Sequence, residues 1–185
     1  MFAAKRKKKH TVEDYMLPEQ GSPCQLINND WVKIPPPSIL HQVISARIIQ
    51  TFSNFLDAIN DNGFLAPGPI DVILDDKNIL HPDIFYVSEN KKSAIVKEKI
   101  DGSPDLIVEI ISMESAYYDM RQKKDIYEKY GVKEYIIIDT ISLRAELYSL
   151  RDSVYYLEQK VNETAELKSL LLPGLILDMS RIFRS

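Results

Sequence analysis

Glu109 occupies a position where a strand gains nothing from a carboxylate. In the run DLIVEIIS (105–112), Ile107, Glu109 and Ile111 share one face, and Leu106, Val108 and Ile110 share the other. Two readings follow. Either that face is locally wet and Glu109 points to solvent, or the carboxylate is buried and must be paired, protonated or bound to metal. Asp83 follows Pro82 at the opening of a second strand, with Phe85 and Val87 on its face. It is either a turn aspartate or the partner of Glu109. Two carboxylates on neighbouring strands repel, and a cation between them resolves the repulsion. All-oxygen ligands of this kind suit Mg²⁺ or Mn²⁺.

Two basic side chains complete the set. On a helix over about 115–130, Ala116, Met120, Lys123, Tyr127 and Tyr130 form one stripe. Lys123 lies in that stripe, and Lys124 is turned about 100° away. Asp119, four residues earlier, can pair with Lys123 on the same face. Lys123 is thus a snorkelling lysine paired with Asp119, or a lysine that the returning helix carries to Glu109. His41 starts the stripe of another helix and reads as a boundary histidine or as a contact to a ligand.

The elements that must position these residues are strands framed by helices. Thr11 with Asp14 resembles a helix start, and Pro18 stops that helix. Residues 23–28 and 31–35 read as a hairpin turning at Asn29-Asp30. Ser38 caps a helix over 39–60 whose stripe is His41, Ile44, Ile48, Phe52, Phe55 and Ile59. Strands are expected at 69–75 and 83–88, with a turn at 76–78, and 89–104 reads as a polar surface excursion. The runs 105–112 and 133–139 are apolar on both faces, which marks central strands. Gly131 ends the helix between them. A hairpin at 143–149 and 153–159 and an apolar run at 167–177, broken at Pro173-Gly174, lead to a short closing helix. The fold class is α/β (α+β), a mixed sheet flanked by helices with added N- and C-terminal hairpins. Residues 1–10 form a basic arm and 11–185 one domain.

Composition narrows the function. The chain has 185 residues, 45% hydrophobic and 27% charged, with a formal net charge of −4. Nucleic-acid binding would therefore rest on a local basic patch. One cysteine, Cys24, excludes an internal disulfide framework and a cysteine-based zinc site. The apolar runs are too short to span a bilayer, and the acidic residues after Lys5–Lys9 exclude a signal peptide, so a cytoplasmic location is expected. Walker loop, GxGxxG, nucleophile elbow and HExxH are all missing, so ATPase, dehydrogenase, serine hydrolase and zincin readings lack support.

Taken together, the residues resemble a known family. The pieces are His81-Pro82-Asp83, SPDLIVEIIS (103–112), Asp119 with Lys123, and YEKYGVKEYIIID (127–139). TVEDYMLP (11–18), the proline-rich turn before His41, and LLPGLILDMSRIF (171–183) extend the match nearly end to end. This pattern resembles the Uma-type restriction endonuclease family, of unestablished biological role, in the PD-(D/E)XK nuclease superfamily. The resemblance implies a restriction-endonuclease-like core in which Asp83 and Glu109 bind Mg²⁺ with the Ile110 carbonyl. A lysine would activate water and stabilise negative charge. Its usual place, two residues after the glutamate, holds Ile111, and the family pattern supplies Lys123 from the next helix. Gln25 stands where the family often has an acidic residue, which removes a metal contact. His41 and Asp119 would support the site.

The implied activity is Mg²⁺-dependent phosphodiester hydrolysis by a DNA endonuclease, with the chain as a homodimer. Lys5–Lys9, Lys33, Lys91, Lys92, Lys97 and Lys99 are candidate DNA contacts. The alternative is a binding module that keeps the fold and has lost the chemistry, and the broken E-x-K and Gln25 favour it. A third is a purely structural dimer.

Overall fold

In a computed structural model the described residues are 11–16, 24–34, 36–111 and 122–184. The basic arm at 1–10 and the segment holding Asp119 lie outside them. The chain opens with α1 (Val12–Met16), whose start is closed by reciprocal bonds: Thr11 N donates to Asp14 and Asp14 N to the Thr11 hydroxyl. A hairpin follows, β1 (Cys24–Ile27) and β2 (Asp30–Lys33). It turns at Asn28-Asn29, one residue before the expected Asn29-Asp30. Both asparagines have positive φ, 52° and 67°, which asparagine tolerates and a two-residue turn demands.

Helix α2 (Ile39–Ala58) runs as expected, with the Ser38 hydroxyl accepting from His41 N. Ile44, Ile48 and Phe52 are fully buried, whereas Ile59 lies past the helix end and is half exposed. Next come β3 (Phe64–Pro67), β4 (Val72–Asp75), β5 (Asn78–Leu80) and β6 (Ile84–Val87). Strand β3 was not expected, and β5 begins inside the expected turn. The 89–104 segment, expected as a polar surface excursion, is ordered. It folds as α3 (Glu89–Ile95) and β7 (Ile100–Asp101), because Ile95 and Ile100 supply buried anchors among the charges.

The central unit is β8 (Leu106–Ile111), α4 (Lys124–Lys129) and β9 (Glu134–Asp139). Gln122 and Lys123 form a wider π-type turn leading into α4. Gly131 adopts φ +77° after the helix, the left-handed conformation a glycine accepts without strain. Then come β10 (Arg144–Arg151), β11 (Val154–Asn162), β12 (Glu166–Lys168), β13 (Ile176–Asp178) and α5 (Met179–Ile182).

The strands form more than the single expected sheet. A six-stranded mixed sheet has the order β11-β10-β9-β8-β6-β3, a five-stranded sheet has the order β2-β1-β5-β4-β7, and β12 pairs with β13. Strands β8 and β9 are parallel, as a strand–helix–strand unit requires. All six residues of β8 are buried. Leu106, Val108 and Ile110 pack toward α2, α5 and the β12–β13 hairpin. Ile107 and Ile111 pack toward the five-stranded sheet and α4. Each face of β8 is therefore covered, and Glu109 sits on the second.

Asp105, just before β8, ties the sheet's entry points together. Fully buried, it accepts from Ser88 N (2.9 Å) and the Ser88 hydroxyl (2.7 Å), and the Lys133 ammonium is 2.9 Å away. Burial alone would raise its pKa. The Ser88 bonds, Lys133 and Lys91 outweigh burial and hold the carboxyl below its ordinary value. A depressed carboxyl contributes stability above its unfolded pKa, about 3.9, and loses it as pH falls through the folded one. Asp105→Asn is expected to lower stability by about 1–3 kcal/mol at pH 7. Urea unfolding across pH should show that gap closing below about pH 4. A pH-independent gap would contradict the assignment.

Candidate active site

The site forms where β6 and β8 meet. The two strands are antiparallel, with Ile84 across from Val108. Asp83 directly precedes β6, and its carboxylate reaches the backbone of Ile110, the residue after Glu109. Asp83 is held from both sides. Its Oδ2 accepts from Ile110 N (2.7 Å), and its carbonyl accepts from Gly68 N (2.8 Å). Gly68 is required for that approach, since a Cβ there would stand 2.2 Å from the Pro82 carbonyl oxygen. His41, from the first turn of α2, brings Nε2 to 3.2 Å from Asp83 Oδ1.

Pro82 has a second consequence. It lies just before β6, and proline has no N–H to give to a ladder. An extended residue points its N–H and C=O to the same side. The Ile110 carbonyl therefore opens toward the edge where its N–H meets Asp83, and Pro82 supplies it no donor.

Glu109 is 1% exposed, which overturns the wet-face reading. Its Oε1 accepts from Lys123 Nζ (2.9 Å) and from the Tyr127 hydroxyl (2.8 Å). Lys123 is 4% exposed, so it does not snorkel to solvent. Lys124 lies elsewhere, its ammonium 3.7 Å from the Tyr148 ring centre. The helical stripe places Tyr127 on this face, and the structure adds its hydrogen bond to Glu109. Its spacing of four from Lys123 is the signal, since both reach one acceptor.

Gln25 plays a different part. Its Oε1 accepts from His81 N (2.9 Å), fixing the segment just before Asp83 to β1. Asp119 lies outside the described residues. Of the candidate DNA contacts, Lys97 pairs with Asp101, Lys99 with Asp71 and Lys91 with Asp105. Lys92 donates to the Asn62 carbonyl, and Lys33 is exposed.

The donor chemistry fits a hard cation. Asp83, Glu109 and the Ile110 carbonyl offer oxygen only. Among the described residues no three His, Cys, Asp or Glu side chains gather to hold a metal. Two carboxylates plus a carbonyl match an ion that completes its shell with water and phosphate.

The Uma2 family, described as "Putative restriction endonuclease", matches residues 12–180. The chain belongs to this family. Its fold agrees with a crystal structure from Anabaena variabilis described as "a putative nuclease belonging to DUF820", with a TM-score of 0.77 and 15% identity over 94% of this chain and 97% of that one. The "Uncharacterized protein sll1609" of Synechocystis sp. is 28% identical over 98 residues, covering 52% of this chain and 55% of that protein. The match thus spans about half of that relative's length. The Uma2 assignment and the restriction-endonuclease-like fold agree with the expectations from sequence. Among the described residues no helix is long and apolar enough to cross a membrane.

The buried pair has a measurable signature. Lys123→Met leaves Glu109 buried without its cation and is expected to cost about 3–5 kcal/mol in urea unfolding. Adding Glu109→Gln should recover most of that loss, because no lone charge then stays inside. Equal stability of wild type and Lys123→Met would contradict the pairing.

Proposed function

We propose that this Uma2 protein is a Mg²⁺- or Mn²⁺-dependent endonuclease that hydrolyses phosphodiester bonds in DNA. The observation that carries this reading is the buried Glu109–Lys123 pair on the strand beside Asp83. A buried ion pair is weak support for stability and is often replaceable by apolar residues. One facing a second carboxylate across adjacent strands is more readily understood as chemistry.

Asp83, Glu109 and the Ile110 carbonyl would hold the ion. When bound, it lowers the pKa of an attacking water and polarises the phosphate. The chain's own residues do the rest. Lys123 holds a positive charge where negative charge grows on the phosphate oxygens, in a site shielded from water. The Tyr127 hydroxyl fixes the Glu109 carboxylate, and His41 and Ile110 N fix that of Asp83. The binding-module alternative draws on Gln25, whose amide is committed to His81 N.

The test compares wild type with Asp83→Ala, Glu109→Ala and Lys123→Ala at equal protein and metal concentration. Cleavage should fall by about 10²-fold or more in each. Mn²⁺ binding should be lost in the two carboxylate variants and kept in Lys123→Ala, whose charge acts mainly on the transition state. Wild type that binds Mn²⁺ but cuts no DNA or RNA would favour the binding module. Variants that all cut like wild type would refute the site.

A further inference from the structure

A second polar site lies on the same sheet face as Glu109. The registers run straight across the sheet: Glu109 is opposite Ile137, Ile137 opposite Glu146, and Glu146 opposite Lys160. One pair along, Ile111 is opposite Asp139 and Asp139 opposite Arg144. At about 4.8 Å per strand, Arg144 stands roughly 10 Å from β8 and Lys160 roughly 14 Å. Here a cavity of about 140 Å³ is lined by Ile137, Asp139, Ser142, Arg144, Glu146 and Lys160.

The two acids that line this cavity, Asp139 and Glu146, already have donors. Asp139 accepts from Ile141 N, Ser142 N and the Ser142 hydroxyl. Glu146 accepts from Lys160 Nζ (2.6 Å) and the Tyr148 hydroxyl (2.6 Å). Arg144 differs. It is exposed, and among the described residues its guanidinium makes no hydrogen bond or salt bridge; its charge helps to hold the Asp139 carboxyl below its ordinary value. A planar fork with five donors beside a cavity is built to take a phosphate. Lys124 joins the two sites: it follows Lys123, lies over Tyr148, and its charge reaches Glu146.

We propose that this cavity is a subsite for a phosphate of the substrate strand, flanking the phosphate presented to Asp83 and Glu109, with Arg144 as its main contact and Lys160 as the second. The inference rests on the nuclease reading and extends it. The substrate strand extends from the Asp83–Glu109 site toward the exposed end of β10, and Arg144 sets its register without touching the reacting phosphate. The lysines of 89–104 are not needed for this path.

The test measures binding of a labelled DNA duplex in EDTA, which prevents cleavage, by wild type, Arg144→Ala and Arg144→Lys. Arg144→Ala should bind roughly tenfold more weakly, and its log K against log salt slope should fall by about 1. Arg144→Lys should recover the slope and part of the affinity, since charge returns without the fork. Thermal stability and Mn²⁺ binding should not move. Duplexes carrying one neutral methylphosphonate should locate the contact: one position weakens wild type and leaves Arg144→Ala unchanged. If Arg144→Ala binds DNA like wild type with the same slope, the subsite is refuted and the nuclease reading stands. If wild type binds no DNA, both fail.

Discussion

Everything in this molecule is arranged around one carboxylate that ought not to be where it is. Glu109 lies in the middle of β8, a strand buried on both faces, and is 1% exposed. Its charge is tolerated because donors reach it from α4 and the turn before it, among them the ammonium of Lys123 and the hydroxyl of Tyr127. That requirement dictates the path of the chain. The helix must double back along the strand it has just left, end at Gly131, and feed β9 parallel to β8. The right-handed strand–helix–strand unit thus does two jobs, covering one face of β8 and delivering the counter-charge.

Asp83 obeys a second constraint, set by backbone rather than charge. Pro82 withdraws a donor from the ladder, Gly68 lets β3 press against the Pro82 carbonyl, and Ile110 N takes the carboxylate. The result is a carboxylate held by a backbone N–H of β8, with its own carbonyl tied to Gly68, and 24% exposed in its side chain where Glu109 is sealed. His41 adds a contact from the far helix. The two acids are therefore unlike: one accessible and steered by backbone, the other buried and held by a cation. Such asymmetry suits a site in which one group meets solvent and substrate while the other keeps its shape.

Much of this was legible in the residues, for identifiable reasons. Period alone set Lys123 in the core stripe and Lys124 outside it, because one step on a helix rotates a side chain by about 100°. Unbroken apolar runs marked β8 and β9. Other features depended on tertiary contacts. The 89–104 segment reads as polar surface because its lysines dominate, yet Ile95 and Ile100 bury enough to order α3 and β7. Strand β3 is short, ends in proline and, among the described residues, pairs only with β6, so it carries little pattern of its own. The division into three sheets follows from pairing partners that alternation cannot name. Glu134 lies within an apolar run, yet it anchors the C-terminal loop through the Ser169 hydroxyl and the N–H groups of Leu170 and Leu171. Its partners are more than thirty residues away, so no local signal announces them.

The central claim is that Asp83 and Glu109 form one cation site with the Ile110 carbonyl. Anomalous diffraction from crystals soaked in Mn²⁺ tests it most directly. One peak is expected, with Asp83, Glu109 and Ile110 oxygens at about 2.1–2.2 Å and water in the remaining positions. No peak at this position at saturating Mn²⁺, with Lys123 still on Glu109, would contradict it.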